Sequence, residues 1–319
     1  MLMRNSRPLR VLTWHVHGNY LYYLTQAPHE FHVVTRPGRP VGYAGRAGVL
    51  PWGANVHEVL TEDVASSDFD VVVYQHRSHW ERDRFELLSD GQRRLPRVYI
   101  EHDPPQEAPF EQRHWVNDRG ALLVHVTPFN ALMWDNGRTP TRVIEHGVLV
   151  PGNARYSGQL RRGIVVVNHL RERGRRLGAD VFERVRRDVP LDLVGMDAQS
   201  LGGIGEISNV ELARFVSRYR FFFNPIRWTS LGLAIVEAMT VGMPIVGLAT
   251  TELATVIRDG ENGFVDTRVE RLVERMRALI DDPALARRLG EGARRTALER
   301  YNIGRFAHDW DLALREVAA

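Results

Sequence analysis

Residues 224–244 read NPIRWTSLGLAIVEAMTVGMP, and this stretch predicts a strand end, a short loop and a helix in succession. Thr229 and Ser230 are residue types that commonly begin helices, and the run from Leu231 to Val241 is rich in good helix formers. The Gly-Met-Pro sequence that follows is a helix stop signal. Because the helix follows a strand, its free N–H groups would lie at the carboxyl edge of a sheet, where they are suited to hold a phosphate.

Glu237 is the exception in this otherwise apolar helix. On a helix that begins at Thr229 it would lie about 12 Å along the axis, at about 1.5 Å per residue, which is comparable to the reach from a sugar across a diphosphate to a ribose. A carboxylate in apolar surroundings stays charged only if something hydrogen-bonds it, and a ribose diol is a suitable partner. The residues leave open the alternative that Glu237 pairs with an Arg at a domain edge.

Short runs rich in Val and Ile recur on both sides of this segment and alternate with helical patterns. These runs are 9–14, 31–35, 71–75, 97–101, 122–127, 142–145, 164–168, 191–195, 220–224, 244–248 and 263–265. Parallel strands that helices cover on both faces have this pattern. Eleven strands are many for one sheet, and the Gly- and Pro-rich passage from His146 to Gly158, between the sixth and seventh runs, is the predicted linker.

The sequence therefore predicts an α/β protein with two doubly wound, Rossmann-like domains, over residues 1–150 and 151–303, that face each other across a cleft. Residues 304–319 form the end of the chain, where Phe306 and Trp310 begin an apolar stripe at helical spacing. Because such a stripe must bury against something, we expect this helix to return to the N-terminal domain.

The composition excludes several kinds of chemistry. The 319 residues include no Cys, and all 42 residues of the Lys plus Arg total are Arg. Without Cys there is no disulfide, thiolate zinc site, iron–sulfur cluster or thiol nucleophile, and without Lys there is no Schiff base or phosphate-loop lysine. An anionic ligand must be held by Arg, by His or by backbone N–H groups.

Charge and hydropathy limit the partners. The net charge of +3 is too small to indicate a nucleic-acid partner. The sequence has no apolar leader and no run of about eighteen apolar residues, so we expect a cytoplasmic protein without a transmembrane segment. Peripheral contact with a membrane surface is compatible with these features.

Polar residues follow three of the predicted strands at their carboxyl ends, where open α/β sheets bind ligands. They are His15, His17, Gly18 and Asn19 after the first strand, His102 and Asp103 after the strand at 97–101, and His169 to Gly174 after the strand at 164–168. The predicted site is thus the cleft between the two domains.

Two segments resemble the donor-binding signature of glycosyltransferase family 4, whose members are GT-B enzymes that use nucleotide-activated sugars. They are 224–244 and 258–265, the second reading RDGENGFV. The family pattern is a glutamate, seven residues, a second glutamate, Ala-Met, a Gly-x-Pro, and a Gly-x-Asn-Gly turn before a strand. The resemblance covers most of 160–300 and implies that Glu237 binds the donor ribose. The family's backbone contacts to the diphosphate fall on Ser230, Leu231, Gly232 and Leu233.

The sequence departs from the family pattern at two donor-binding positions. Thr229 stands where the family has its first glutamate. Either the donor sugar lacks or inverts one of the hydroxyls which that glutamate would contact, or another group, such as Arg227 or Glu252, makes the contact. His169 stands at the first of two basic positions that bind the diphosphate, and Arg173 occupies the second. A guanidinium binds phosphate oxygens bidentately, so Arg173 fits this role.

In the N-terminal half the resemblance is thinner. His102 and Asp103 are similar to the family's His-Asp pair that places a histidine beside the donor sugar, and Gly18 matches a glycine whose loop approaches the diphosphate and acceptor. The residues alone leave open that His102 is a loop histidine that caps a helix. With Arg173, this pair makes up the expected catalytic set. The expected acceptor-side residues are His15, His17 and Asn19.

The resemblance implies a retaining glycosyltransferase that moves a hexose from a nucleoside diphosphate sugar to an acceptor hydroxyl. The donor is a co-substrate with UDP or GDP as the expected nucleotide, and no metal or other cofactor is expected. The acceptor would be a sugar, a glycolipid or another hydroxyl compound.

Two alternatives remain open at this stage. A metal-dependent hydrolase would use the N-terminal histidines, which include His15, His17, His76, His79 and His102. That interpretation leaves the Glu237 helix unexplained. A GT-B protein that binds a nucleotide sugar without turnover is the second alternative, because Thr229 and His169 depart from the family pattern.

Overall fold

The computed structural model describes residues 7–319, and the chain divides into two compact units. Unit 1 comprises Met1–Gly147 and Ile303–Ala319, and unit 2 comprises Val148–Asn302. Residues 1–6, where the sequence predicts no leader, lie outside the described residues.

Unit 1 is built on a seven-stranded parallel sheet of order β3-β2-β1-β4-β5-β6-β7. Its strands are β1 (Arg10–Trp14), β2 (Glu30–Thr35), β3 (Val56–Leu60), β4 (Val71–Tyr74), β5 (Arg97–Glu101), β6 (Ala121–His125) and β7 (Thr141–Val143). Helices in its first part are α1 (Gly18–Leu24), α2 (Arg84–Glu86), which continues a π-helical turn at His79–Asp83, and α3 (Pro128–Met133).

Unit 2 is built on a five-stranded parallel sheet of order β12-β11-β10-β8-β9. Its strands are β8 (Leu160–Val166), β9 (Leu191–Val194), β10 (Tyr219–Asn224), β11 (Ile245–Leu248) and β12 (Gly263–Asp266). Its helices are α4 (Leu170–Leu177), α5 (Ala179–Val185), α6 (Asn209–Val216), α7 (Leu233–Val241), α8 (Leu253–Val256), α9 (Val269–Asp281) and α10 (Pro283–Arg300).

All eleven predicted strands are present, several with ends shifted by one to four residues, and one further strand was missed. The missed strand, β3, lies at the edge of the unit 1 sheet and reads VHEVL. Only Val56 and Val59 of this strand are buried, while Leu60 is exposed. A strand with so little apolar patterning is hard to distinguish from a loop.

The last helix, α11 (Ile303–Val317), belongs to unit 1. Phe306, Trp310 and Leu314 have no exposed surface, and the Phe306 ring meets the edge of Tyr20 in α1 at a centroid distance of 5.6 Å. The Arg305 guanidinium donates a hydrogen bond of 2.9 Å to the carbonyl oxygen of Glu145. The apolar stripe of this helix is therefore part of the unit 1 core. None of the helices within residues 7–319 combines the length and the hydropathy needed to cross a bilayer.

In unit 2 the central strand β10 is buried along its whole length and pairs with β8 on one side and β11 on the other. Because β8 and β10 are parallel neighbours, the loops at their carboxyl ends emerge side by side. The backbone N–H groups of Arg227 and Trp228, after β10, both donate to the carbonyl oxygen of Arg176 in α4, at 3.0 and 3.2 Å. The fold thus joins the two segments that resemble the family's diphosphate site.

Helix α10 packs against the C-terminal end of α7 through a glycine. A Cβ atom at Gly290 would lie 2.0 Å from the carbonyl oxygen of Gly242, the residue that ends α7 at a φ of +96°. Two helical backbones can approach this closely only where a side chain is missing.

We expect Gly290→Ala to destabilise unit 2, although the same change in an unobstructed helix stabilises by about 1 kcal/mol. The new methyl group would displace backbone rather than a flexible side chain, and overpacking of this kind costs about 1–3 kcal/mol. Urea denaturation followed by circular dichroism measures the change. Gly152→Ala is the control, because a Cβ atom there meets no other atom of the described chain within 4 Å. Equal or higher stability of Gly290→Ala would contradict this packing.

Candidate functional site

Helix α7 begins later than the sequence predicts. Gly232 is its N-cap, with φ −69° and ψ 139°, and the helix runs over Leu233–Val241. Thr229 and Ser230 therefore lie in a non-helical loop and do not begin the helix. The physical reason is that glycine has low helix propensity and is a favoured N-cap residue, so the helix begins after Gly232.

This later start changes the distance from the helix start to Glu237. The helical rise of about 1.5 Å per residue applies only from Leu233, so Glu237 lies about 6 Å along the axis from the first helical residue. The axial distance of about 12 Å that a helix start at Thr229 predicts for Glu237 is therefore wrong. Residues four apart share a helix face, so Glu237 lies on the same face as Leu233. Its side chain is 7% exposed, within a run that is buried from Ile235 to Val241.

The loop before α7 contains the predicted backbone contacts. Ser230 and Leu231 are buried, whereas Gly232 and Leu233 are half-buried. A Cβ atom added at Gly232 would meet no heavy atom of the described chain within 4 Å, apart from its chain neighbours. Open space therefore lies in front of a helix start, where the first-turn N–H groups have no intrahelical acceptor. This arrangement suits an anionic ligand.

The segment after β8 has an unusual backbone. His169, the N-cap of α4, has φ 52° and ψ 41°, a left-handed conformation that non-glycine residues rarely adopt. Its N–H group donates to the carbonyl oxygen of Met196 at 2.8 Å. Gly174 interrupts the helix with φ 55° and ψ −135°, and a Cβ atom there would also meet open space. The half-buried Arg173 thus lies on a short turn, directly before a residue that must be glycine.

Three guanidinium groups of this region bind protein oxygens. Arg171 donates to the carbonyl oxygen of Ser200, and Arg175 lies 2.9 Å from the Asp180 carboxylate. Arg227 donates two hydrogen bonds to Asp180, at 2.6 and 2.8 Å, and a third to the Arg175 carbonyl oxygen. The hydrogen bonds from Arg227 hold the pKa of the Asp180 carboxyl below its ordinary value.

The two residues that could replace the missing glutamate at position 229 already form ion pairs within the protein. Arg227 is held by Asp180, and Glu252 is 2% exposed, with its carboxylate 3.1 Å from Arg300. The hydroxyl of Thr255 donates to the same carboxylate oxygen at 2.7 Å. Both side chains therefore already have charged partners in the protein.

The Gly-x-Asn-Gly turn has a structural role. Asn262 is buried, its side-chain oxygen accepts from the Arg258 N–H at 2.8 Å, and its amide donates to the Val256 carbonyl and the Thr296 hydroxyl. A Cβ atom at Gly263 would lie 2.2 Å from the carbonyl oxygen of Ile245. The pattern that resembles the family at this turn is thus required for packing against β11.

In unit 1 the structure brings together the polar residues after β1 and β5, which flank β4 in the sheet. The rings of His17 and His102 have centroids 4.2 Å apart, and the Tyr20 ring meets His102 edge-on at 4.6 Å. Asp103 follows in the chain, and its carbonyl oxygen accepts a hydrogen bond of 2.8 Å from the indole of Trp134. His102 is therefore packed between aromatic rings rather than capping a helix.

Gln75 determines the tautomer of His102. The Gln75 amide nitrogen donates to the Trp14 carbonyl and the Thr13 hydroxyl, both at 3.3 Å, so its oxygen faces Nε2 of His102, also at 3.3 Å. Nε2 must then carry the proton, and Nδ1 keeps its lone pair. Burial and the neighbouring His17 hold the pKa of His102 well below its ordinary value, so the ring is neutral at pH 7.

A buried pair supports the same loop. Glu101 accepts a hydrogen bond of 2.9 Å from the Asp103 N–H group, and its other oxygen lies 2.9 Å from Nε2 of His114. Nδ1 of His114 accepts from the Val116 N–H, so Nε2 is the donor to Glu101. Burial raises the pKa of Glu101 to about 8 and lowers the pKa of His114 to about 3. His114 is thus neutral at pH 7, and the hydrogen bonds to Glu101 hold the backbone at His102 and Asp103 in place.

The remaining predicted residues lie around the start of α1. His15 is tied by Nδ1 to the carbonyl oxygen of Gly45 at 2.6 Å, which anchors the loop between β2 and β3. Gly18 is the first residue of α1, and a Cβ atom there would approach His15 Nε2 to 3.0 Å. Asn19 is half-buried in the same turn.

A cavity of about 350 Å³ opens beside these residues in unit 1. His17, His102 and Asp103 line it, together with Gln75 and Trp115, which the sequence analysis missed. Gln75 was detectable, because it ends a predicted strand on the functional edge of the sheet. Trp115 lies in a loop without periodicity, and no sequence signal marks it.

The histidines assigned to the hydrolase alternative have other contacts. His79 is buried and stacks on Trp14 at a centroid distance of 5.1 Å, and burial lowers its pKa to about 4. His76 bonds to the hydroxyl of Ser78 at 2.7 Å. Within the part of the chain that the structure describes, no three His, Asp or Glu side chains are grouped to hold a metal ion.

Known proteins resemble this chain in sequence and in fold. Residues 200–296 match the family described as Glycosyl transferases group 1. A D-inositol 3-phosphate glycosyltransferase from Nocardioides sp. is 32% identical over 108 residues, which is 33% of this chain and 24% of that protein. The chain thus matches about a quarter of this curated relative's length. The matched family segment includes Thr229 and Glu237 but not His169 or Arg173.

Several solved structures match nearly the whole chain, and two examples follow. Sucrose-phosphate synthase from Thermosynechococcus elongatus matches with a TM-score of 0.71 at 17% identity, over 98% of this chain and 99% of that one. Anabaena HepE in complex with UDP and glucose matches with a TM-score of 0.71 at 13% identity, over 97% of this chain and 100% of that one. The predicted GT-B class, with two parallel α/β sheets, is confirmed.

Proposed function

We propose that the protein is a retaining glycosyltransferase that moves a hexose from a nucleoside diphosphate sugar to an acceptor hydroxyl, because residues 200–296 match the family described as Glycosyl transferases group 1. The observation that carries the proposal is the start of α7, where open space at Gly232 lies one helical turn from the buried carboxylate of Glu237. A helix start can hold a diphosphate and a carboxylate can hold a ribose diol.

In this proposal unit 2 binds the donor and unit 1 binds the acceptor. The backbone of Ser230, Leu231, Gly232 and Leu233, together with His169 and Arg173, holds the diphosphate, and Glu237 holds the ribose. UDP is the first nucleotide to test, because HepE was solved with UDP and glucose, and GDP is the second.

The proposed reaction depends on positioning and on stabilisation of charge. The bond between the hexose anomeric carbon and the diphosphate breaks, the acceptor oxygen bonds to that carbon on the same face, and the acceptor proton passes to the leaving diphosphate. Negative charge grows on the leaving group, and Arg173 with the N–H groups of α7 stabilises it. His102 is neutral and, with Asp103, contacts the donor sugar.

We expect Glu237→Gln to weaken the binding of UDP or GDP about tenfold or more. An amide replaces the ionised acceptor for two ribose hydroxyls, and hydrogen bonds to charged groups are worth about 1.5–3 kcal/mol. Isothermal titration calorimetry measures the dissociation constant. Glu261→Gln is the matched control, because Glu261 is exposed and lies in the same family segment. If both variants keep the wild-type affinity, Glu237 does not contact the nucleotide.

We also expect turnover to persist in excess EDTA. The proposed diphosphate contacts are a guanidinium and backbone N–H groups, so no divalent ion is needed to neutralise the phosphates. Release of nucleoside diphosphate from a UDP-sugar donor, assayed with and without EDTA, checks this. One equivalent of tightly bound zinc, lost together with activity on chelation, would favour the metal-dependent hydrolase.

A further inference from the structure

Gln75 occupies a central position at the carboxyl edge of the unit 1 sheet. It directly follows β4, which lies between β1 and β5 in the sheet, and it is 3% exposed. The loops after β1 and β5 therefore begin on either side of it. Because a buried polar side chain is normally satisfied by hydrogen bonds, the partners of Gln75 indicate its role.

The side-chain amide of Gln75 has one favoured orientation. Its nitrogen lies 3.3 Å from the Trp14 carbonyl oxygen, which can only accept, so the nitrogen must face β1. The hydroxyl of Thr13 accepts from the same nitrogen, also at 3.3 Å. Trp14 is itself held in place, because its ring stacks on Tyr74 at a centroid distance of 5.2 Å. The amide oxygen is thus directed to the loop after β5, where it meets Nε2 of His102.

The aromatic neighbours of His102 hold its ring in place but do not select its tautomer. The ring centroid lies 4.2 Å from that of His17 and 4.6 Å from that of Tyr20. The tautomer of a neutral imidazole is set by the hydrogen bonds of its two nitrogens. Among residues 7–319, Gln75 is the hydrogen-bond partner of this ring, at 3.3 Å. The position of the proton therefore depends on Gln75.

The tautomer determines what the second nitrogen of His102 can do. With the proton on Nε2, Nδ1 keeps a lone pair and can accept a hydrogen bond from a hydroxyl group. The other tautomer would place the lone pair of Nε2 against the Gln75 oxygen and leave two buried acceptors unsatisfied. The population of that tautomer should be lower by about tenfold or more. His102 lines the unit 1 cavity, so a ligand there can contact it.

We propose that Gln75 is a positioning residue for the reaction, because it holds His102 in the tautomer whose Nδ1 can accept a hydrogen bond from a sugar hydroxyl. The effect of Gln75 on turnover passes through His102 and needs no contact between Gln75 and the sugar. This inference rests on the proposed function, in which His102 contacts the donor sugar.

Nitrogen NMR of the full chain with isotope-labelled histidine reads the tautomer, because protonated and unprotonated ring nitrogens resonate at well-separated frequencies. The spectrum of His102→Phe assigns the signals of His102 by their absence. We expect the wild type to carry its proton on Nε2 at pH 7. Gln75→Met removes the acceptor and should raise the Nδ1-protonated fraction about tenfold. Gln75→Glu keeps an oxygen in front of Nε2 and should retain the wild-type tautomer.

Release of nucleoside diphosphate from a UDP-sugar donor measures the effect on the reaction. Gln75→Met should lower kcat about tenfold, and Gln75→Glu should retain most of the wild-type kcat. The dissociation constant of UDP should keep its wild-type value in both variants, because the proposed nucleotide contacts belong to unit 2.

Gln92→Met is the matched control for the loss of a buried glutamine. Gln92 is 8% exposed and donates to the carbonyl oxygens of Val64 and Ser67 at 2.6 and 2.7 Å, but it does not line the cavity. Its substitution should lower the stability of unit 1 and leave both the tautomer of His102 and the kcat of the folded protein unchanged.

A proton on Nδ1 of His102 in the wild type overturns the inference, and this measurement decides the case in which Gln75→Met does not fold. An unchanged tautomer in Gln75→Met, a wild-type kcat in that variant, or an equal loss of kcat in Gln92→Met also overturns it. Absence of UDP binding and of turnover in the wild type overturns the proposed function. The spectra then still decide whether Gln75 sets the tautomer of His102.

Discussion

Arg173→Ala should lower the turnover number about 10²–10³-fold, as the loss of one preorganised donor to developing charge does in other enzymes. Arg173 lies on the short turn between His169 and Gly174, both of which have positive φ, and a Cβ atom at Gly174 would meet open space. A guanidinium can bind the phosphate oxygens of a leaving diphosphate bidentately, and it is charged at every accessible pH. Release of nucleoside diphosphate from the donor sugar measures the effect.

Two further substitutions make this test specific. Arg173→Lys keeps the charge but not the planar pair of donors, so its rate should lie between those of the wild type and Arg173→Ala. Arg171→Ala should retain the wild-type rate, because Arg171 is exposed and its guanidinium binds the carbonyl oxygen of Ser200. Similar losses in Arg171→Ala and Arg173→Ala would indicate a general effect on α4 instead of a contact to the diphosphate.

Trp310→Ala should destabilise unit 1 by about 3–5 kcal/mol, the usual cost of truncating a fully buried large aromatic residue. Trp310 has no exposed surface, and its ring lies 6.4 Å from Phe306, which packs on Tyr20. Helix α11 is separated in sequence from the rest of unit 1 by all of unit 2. The substitution therefore tests whether this distant segment is part of the unit 1 core.

Urea denaturation followed by circular dichroism measures this loss without relying on tryptophan fluorescence. Leu312→Ala is the matched control on the same helix, because Leu312 is 46% exposed and surface substitutions change stability by about 0.5 kcal/mol or less. If Trp310→Ala and Leu312→Ala are equally stable, α11 does not contribute to the core.

The strands could be predicted well because most of them are apolar runs covered on both faces. Strand β10 reads YRFFFN and is buried throughout, so its pattern is unambiguous. The edge strand β3 was missed, because half-exposed strands lack such runs. The start of α7 was predicted too early, because Leu231 favours a helix while Gly232, one residue later, interrupts it.

The candidate site was predictable only where it lies at the ends of strands. His17 and His102 follow different strands, and their contact depends on β1 and β5 both flanking β4, which the sequence pattern does not specify. Trp115 lines the unit 1 cavity from a loop whose conformation depends on the buried Glu101–His114 pair. Side chains that long-range packing places in this way leave no periodic signal. The roles of the individual residues remain predictions.

The contrast between the packed body of α7 and the loop before it has a consequence for engineering. Substitutions from Ile235 to Val241 would disturb a helix that is buried on all sides and whose C-terminal end packs closely against Gly290 of α10. Residues 226–229 are half-buried and non-helical. A library that aims to alter which sugar is transferred should therefore randomise 226–229 and keep the helix constant, which confines the search to four codons.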